Sequence, residues 1–135
     1  MKFSEVQLVC EHCGKDALVN PEKINILFFK SKDESTTIQK IYISCKGICD
    51  DIISKENSQY YPGWQDLGDF TNPALYLKRT MAIINNCKNK GADWISDEAF
   101  SVLKDILLIM AEYVFRELSE DEIEKFESLS AIESY

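Results

Sequence analysis

The sequence predicts an α+β protein in which a β-rich N-terminal module packs on a C-terminal layer of about three helices. Three observations predict it. Branched and aromatic residues concentrate at 24–29 and 37–43, in the first half of the chain. Apolar residues at helical spacing, bounded by capping signals, fill the second half. Two close cysteine pairs, Cys10/Cys13 and Cys45/Cys49, bracket the β-rich runs.

The 135 residues are 45% hydrophobic and 28% charged, a composition that can bury a core and is unlike that of a disordered chain. In the N-terminal half, residues 6–9 read as a short strand leading into Cys10. The runs 24–29 and 37–43 read as two strands joined by a polar hairpin loop at 31–35. Residues 50–56 suit a short helix ending near Asn57. A connector with Tyr60, Tyr61, Trp64 and Phe70 follows, with a turn at Pro62-Gly63; Tyr60, Tyr61 and Trp64 are expected to fill the seam between the zinc module and the helical layer, the other reading being an exposed peptide-binding patch.

In the C-terminal half, Asn72 before Pro73 is an N-cap signal, and Gly91 closes the helix it starts. Leu77, Met81, Ile84 and Cys87 recur at i, i+4, i+7 and i+10 and fall on one face of that helix. Ser96-Asp97-Glu98 opens a second helix running to about Leu118. Its apolar residues cover more than one stripe, so it should be central or should meet a partner, and a homodimer through helix 96–118 is one expectation. Ser119-Glu120-Asp121-Glu122 is a capping box for a shorter third helix with a narrow apolar edge at Ile123, Phe126 and Leu129.

Residues 1–9 lack the apolar core of a secretory signal, and the longest apolar run is the six residues 106–111, against the roughly 20 that span a bilayer. The expectation is a cytoplasmic protein with no membrane contact. Disulfides rarely persist there, so paired cysteines point to metal. Cys10-Glu11-His12-Cys13-Gly14 and Cys45-Lys46-Gly47-Ile48-Cys49 can each clamp one ion, and four thiolates suit tetrahedral Zn²⁺. A rubredoxin-like iron site expects a tight knuckle at both ends, which the second pair does not form. Four cysteine ligands leave no open position, so the expected zinc is structural.

A knuckle, a hairpin and a second pair at a helix start resemble the treble-clef zinc finger over residues 5–57. The resemblance implies Cys10, Cys13, Cys45 and Cys49 as the metal ligands. The chain departs from the usual pattern by placing three residues, not two, between Cys45 and Cys49. The expected organisation is a zinc-binding β-rich module at 1–62 and an acidic helical region at 63–135, forming one compact unit.

The rest of the chain offers little chemistry. His12 is the only histidine and lies inside the first knuckle, which leaves no Ser-His-Asp or Cys-His constellation. Cys87 sits on an apolar stripe and reads as a core thiol. The acids Asp50/Asp51 and Asp66/Asp69 show no basic partner and read as solvated or capping groups. There is no glycine-rich phosphate loop. The expectation is a non-enzymatic protein.

Fifteen Lys and Arg against 23 Asp and Glu give a formal net charge of −8, which argues against a phosphate-gripping surface. Residues 1–62 hold eight Lys and nine acids, a net of −1, whereas 63–135 hold seven Lys and Arg and fourteen acids, a net of −7. The leading functional expectation is therefore an adaptor, inhibitor or immunity-type protein whose acidic helical surface meets a basic protein. The alternative is a nucleic-acid-binding zinc module acting as a regulatory or defence-associated accessory factor. It would use the acid-free helix 73–90, with Lys78, Arg79, Lys88 and Lys90.

Overall fold

The computed structural model describes residues 7–33 and 36–115, together with positions 120, 121 and 124. Strands β1 (Ile24–Lys30), β2 (Ile38–Cys45) and β3 (Tyr61–Asp66) form one antiparallel sheet in the order β2-β1-β3. Helix α1 (Ile48–Glu56) follows β2, and α2 (Pro73–Lys90) and α3 (Asp97–Val114) follow β3. The fold is α+β, with the cysteine pairs in the N-terminal half beside the strands.

The central strand is apolar on both faces because both faces are covered. Ile24 and Ile26 belong to the main core, with half-buried Phe28 packed against it, while Leu27 and Phe29 point the other way and pack with Ile53 of α1. Across the ladder, Ile26 pairs with Ile43 and Phe28 with Ile41 on the first face. The ladder slips between Phe29 and Lys30, so that Phe29 pairs with Lys40 and Lys30 with Ile38. That bulge shifts the alternation by one residue, which places Ile38 in the same core as Ile41 and Ile43. From α3, Ala99, Leu103, Ile106, Ile109 and Met110 complete this core. The layers are thus α1, sheet, then α3 with α2.

The cap signals hold. Asn72 Oδ1 accepts from Leu75 N at 2.9 Å, and Ser96 Oγ accepts from Ala99 N at 3.2 Å. Ser96 N also donates to Ile38 O at 2.9 Å, tying the start of α3 to the outer edge of β2.

Three expectations change. The Pro62-Gly63 segment is part of β3, not a turn, and the sheet includes residues on both sides of position 62. An edge strand tolerates proline because its missing N–H costs a ladder bond only if it faces the neighbour. The connector aromatics do not fill a seam: Tyr60 packs against Phe29 at 6.4 Å between ring centroids, but Tyr61 and Trp64 are exposed. Most consequentially, α2 has no fully buried residue. Leu77, Met81 and Ile84 are 56%, 54% and 52% exposed, and Cys87 is exposed as well. The helix is held instead by half-buried Tyr76, whose hydroxyl donates to Leu107 O at 2.9 Å and whose ring meets Phe70 and Phe115 edge-on. The proposed third helix, with its capping box and the edge Ile123, Phe126 and Leu129, lies outside the described residues but for positions 120, 121 and 124.

Candidate metal centre

The first knuckle is a tight backbone loop. Val9 and Asp16 form an isolated antiparallel bridge, Cys10 N donates to Lys15 O, and Gly14 N donates to Cys10 O, both at 2.9 Å. Closing the loop requires Gly14 at φ 75°, in the left-handed region where a side chain is disfavoured. Glu11 N donates to Ile43 O at 2.8 Å and hangs the knuckle on β2.

The second pair spans the end of β2 and the first turn of α1. Gly47, at φ 95°, is the N-cap of α1 and turns the chain between Cys45 and Cys49. The three-residue spacer that departs from the treble-clef pattern is thus accommodated by a glycine in a conformation other residues resist. Lys46, within the same spacer, donates through Nζ to Glu22 O at 2.8 Å and pairs with Asp66 Oδ2 at 2.6 Å. That links the turn to the far end of β3.

These elements bring Cys10, Cys13, Cys45 and Cys49 together, with all four Sγ atoms within 4.8 Å of one another. Cys13 and Cys45 sulfurs are 3.6 Å apart. Tetrahedral zinc with Zn–S bonds near 2.3 Å places its sulfurs about 3.8 Å from one another, so the cluster has the dimensions to hold such an ion. This is consistent with a zinc-binding module. Cys10 is buried, Cys45 and Cys49 are half-buried, and Cys13 is exposed.

The electrostatics are those of a site awaiting a cation. Burial pushes the Cys10 thiol up, but backbone amides of Cys13, Cys45 and His12, with the Cys13 side chain, outweigh it and bring Cys10 down to about 6. One of these is the Cys45 amide, 3.4 Å from the Cys10 sulfur. Burial, then hydrogen bonds and repulsion from the sulfurs of Cys13 and Cys10, push Cys45 up to about 12. Burial and the neighbouring sulfurs of Cys10 and Cys13 likewise push Cys49 up to about 11. One thiolate is favoured and further ones repel it, and a divalent ion removes that repulsion.

His12 is exposed and stands outside the cluster, as does Cys87. Asp51 is exposed, whereas Asp50, Asp66 and Asp69 have partners. Asp50 accepts from Asn25 Nδ2 at 2.9 Å, Asp66 pairs with Lys46, and Asp69 pairs with Arg79 at 3.3 Å. The cations of α2 divide between two faces: Lys78 and Lys88 are exposed, whereas Arg79 and Lys90 line a cleft against the sheet. Sequence reasoning missed Gly47, although a glycine between two candidate ligands before a helix start was the available signal. It also missed the cleft, which is assembled from residues far apart in sequence.

No helix among the described residues is long and apolar enough to cross a membrane. No family model, curated protein or solved structure matches the chain.

Proposed function

We propose that the chain is a non-enzymatic protein-interaction protein, folded around a structural zinc ion held by Cys10, Cys13, Cys45 and Cys49, and that α2 is its docking face. Four thiolates close the coordination sphere, which fits a structural ion and leaves no position for water or substrate. The observation that carries the docking assignment is the contiguous stripe Leu77, Met81 and Ile84, each more than half exposed. Spaced i, i+4 and i+7, they form one face, as a helix-binding groove requires. The exposed apolar residues Phe100 and Val102 of α3 lie only two positions apart and point in different directions.

The helix carries no acid, and Lys78 and Lys88 are exposed outside the cleft that Arg79 and Lys90 line, so its complement is an acidic amphipathic segment of another protein. The acids of α3, Asp97, Glu98, Asp105 and Glu112, are the described part of the surface first expected to meet a basic protein. They lack a contiguous apolar stripe, which makes α2 the better docking face.

The test is affinity capture from the native cell with the zinc-loaded full chain and with a Leu77→Asp/Met81→Asp variant, followed by direct titration of the captured protein at low and high salt. An acidic partner bound in a salt-sensitive way and lost with the variant is the expected result. Capture unaffected by the variant, or capture of a basic partner alone, overturns the assignment.

A further inference from the structure

Helix α2 stands off from the sheet, and between them lies a cleft of about 280 Å³. Its lining is strongly asymmetric. The floor is apolar and partly aromatic: Phe28, Ile38, Phe70 and Leu103, with Ile83 and Trp94 at its sides. The rim carries Lys30 from β1 and Arg79 and Lys90 from α2, with the amides Gln65 and Asn86, and no carboxylate lines it. Among the described residues neither Lys30 nor Lys90 has an ion-pair partner. Arg79 is engaged on one side only: Nη2 reaches Asp69 at 3.3 Å, while Nε is buried with no hydrogen-bond partner among the described residues. A buried donor on a cationic side chain beside a cavity is a group that an anionic acceptor would satisfy.

Gly63 sharpens the shape. By the alternation of β3 it shares a face with Gln65 and pairs with Phe28, so its missing side chain keeps the wall of the cleft flat. A Cβ there would meet Phe28 at 3.8–3.9 Å, ordinary contact distance, and anything longer would extend into the space. All three strands and the helices α2 and α3 therefore converge on a slot with a flat apolar interior, amides at its edge and cations at its mouth.

We propose that this cleft binds a nucleotide-type ligand, a planar base carrying phosphate, either as a free mononucleotide or as the end of a single strand. The base enters between Phe28, Phe70 and Trp94, where stacking and apolar contact are available. Asn86 supplies a donor and an acceptor for the base edge, and Gln65, whose Nε2 donates to Asp69, adds its carbonyl oxygen as an acceptor. The phosphate meets Lys30, Arg79 and Lys90, where Asp69 offsets one of the three charges and leaves about the charge a phosphate dianion balances. A long aliphatic anion fits less well, since the slot is short and its mouth carries more charge than one carboxylate needs. The site uses the sheet-facing side of α2 and stands independently of the solvent-facing stripe Leu77, Met81 and Ile84.

The test uses the zinc-loaded full chain and its Trp64→Phe variant, which leaves Trp94 as the sole tryptophan reporter; because Trp64 also lines the cleft, both proteins are titrated. Adenosine and uridine monophosphates, a short oligothymidylate and inorganic phosphate are titrated while Trp94 fluorescence is followed. Saturable quenching by a mononucleotide is expected. It should weaken about tenfold in Lys90→Ala, the loss typical of one charge-assisted contact, and vanish in Gly63→Leu. Circular dichroism melting confirms that both variants fold; should Gly63→Leu fail to, Asn86→Leu at the rim serves in its place. Quenching by the oligonucleotide alone, with the same variant pattern, assigns the ligand to a strand end and supports the same chemistry. No saturable quenching by any nucleotide, binding indifferent to the variants, or phosphate binding as tight as nucleotide binding overturns the proposal.

Discussion

At the scale of single residues, the four cysteine sulfurs decide the most. Without metal, Cys45 and Cys49 hold their protons because their thiolates would be buried beside other sulfurs, with pKa values pushed to about 12 and 11. A group whose folded pKa is raised stabilises the fold below its unfolded pKa and loses that contribution as pH rises. The metal-free protein should therefore lose stability from these two groups between about pH 9 and 11–12. Cys10 behaves oppositely: lowered to about 6, it contributes above its unfolded value of 9.0, and the contribution fades as pH falls through 6. Zinc binding near pH 7.5 must then expel the protons of both Cys45 and Cys49, at least two per ion. Calorimetry in buffers of different ionisation enthalpy reads that number, and release of fewer than two protons would contradict the proposed ligand set. Cys45→Ser should abolish zinc retention, measured by mass spectrometry of the native protein, and should open residues 8–17 and 48–57. Gly47→Ala, forced to φ 95°, should cost about 1–2 kcal/mol in denaturant unfolding, whereas Lys46→Ala keeps the backbone and should lose only the exposed side-chain contacts to Asp66 and to Glu22 O.

At the scale of elements, α2 and α3 are two helices of equal length with opposite fates. Ile106 of α3 is fully buried, so Ile106→Ala should cost about 2–5 kcal/mol. Leu77→Asp on α2 should change stability by no more than about 0.5 kcal/mol, because that side chain is already in water. Thermal and urea melts of the two variants make the comparison, and a large loss from Leu77→Asp would mean that the α2 stripe is core after all. The contrast also defines what could be read from the sequence. The caps at Asn72 and Ser96, the hairpin strands and the cysteine pairs were legible because each is a local signal with a local cause. The fate of the α2 stripe was not, because a 3.6-residue period shows that apolar residues share a face and does not show what covers it. Strand β3 was hidden for a related reason. Pro62-Gly63 has turn chemistry, and only the pairing of Gly63 with Phe28 and of Pro62 with Phe29, residues 34 positions or so earlier, makes it an edge strand. Cys87 was misread with its stripe, and the basic partners of Asp66 and Asp69, Lys46 and Arg79, were hidden because the sequence does not place them side by side, although Asp66 does cap the turn at Gly68 as its reading allowed.

At the scale of the whole molecule, the metal and the main core stabilise different parts of the chain. The core of β1, β2 and α3 is large and apolar, with Ile26, Ile106 and Met110 fully buried, and of the four cysteines only half-buried Cys45 packs against it. The knuckle around Cys10 and Cys13 is held by a few backbone bonds and by burial of Cys10, Leu8 and Ala17, the last two reaching the edge of that core. Helix α1 buries only Ile53 against Leu27 and Phe29, with Asn57 closing its end through Ile53 O. Nine residues with one buried anchor are too few for a helix to persist by itself in water. Zinc, by joining Cys10 and Cys13 to Cys45 and Cys49, supplies the constraint those two segments lack. Chelation should thus open the molecule unevenly. Amide hydrogen exchange after metal removal should accelerate first and most in residues 8–17 and 48–57, while β1 and α3 keep their protection until global unfolding. Uniform acceleration would show instead that the metal supports the whole fold as one cooperative unit. The charge follows the same division: four thiolates with one Zn²⁺ add −2 to the N-terminal part, moving the formal total from −8 to about −10, while α2 remains the acid-free face on an acidic protein. An acidic partner recognising α2 must therefore approach along one narrow direction. Its association rate should fall steeply with added salt in a way that Lys78→Glu and Lys88→Glu reverse, because long-range steering toward α2 depends on its exposed cations.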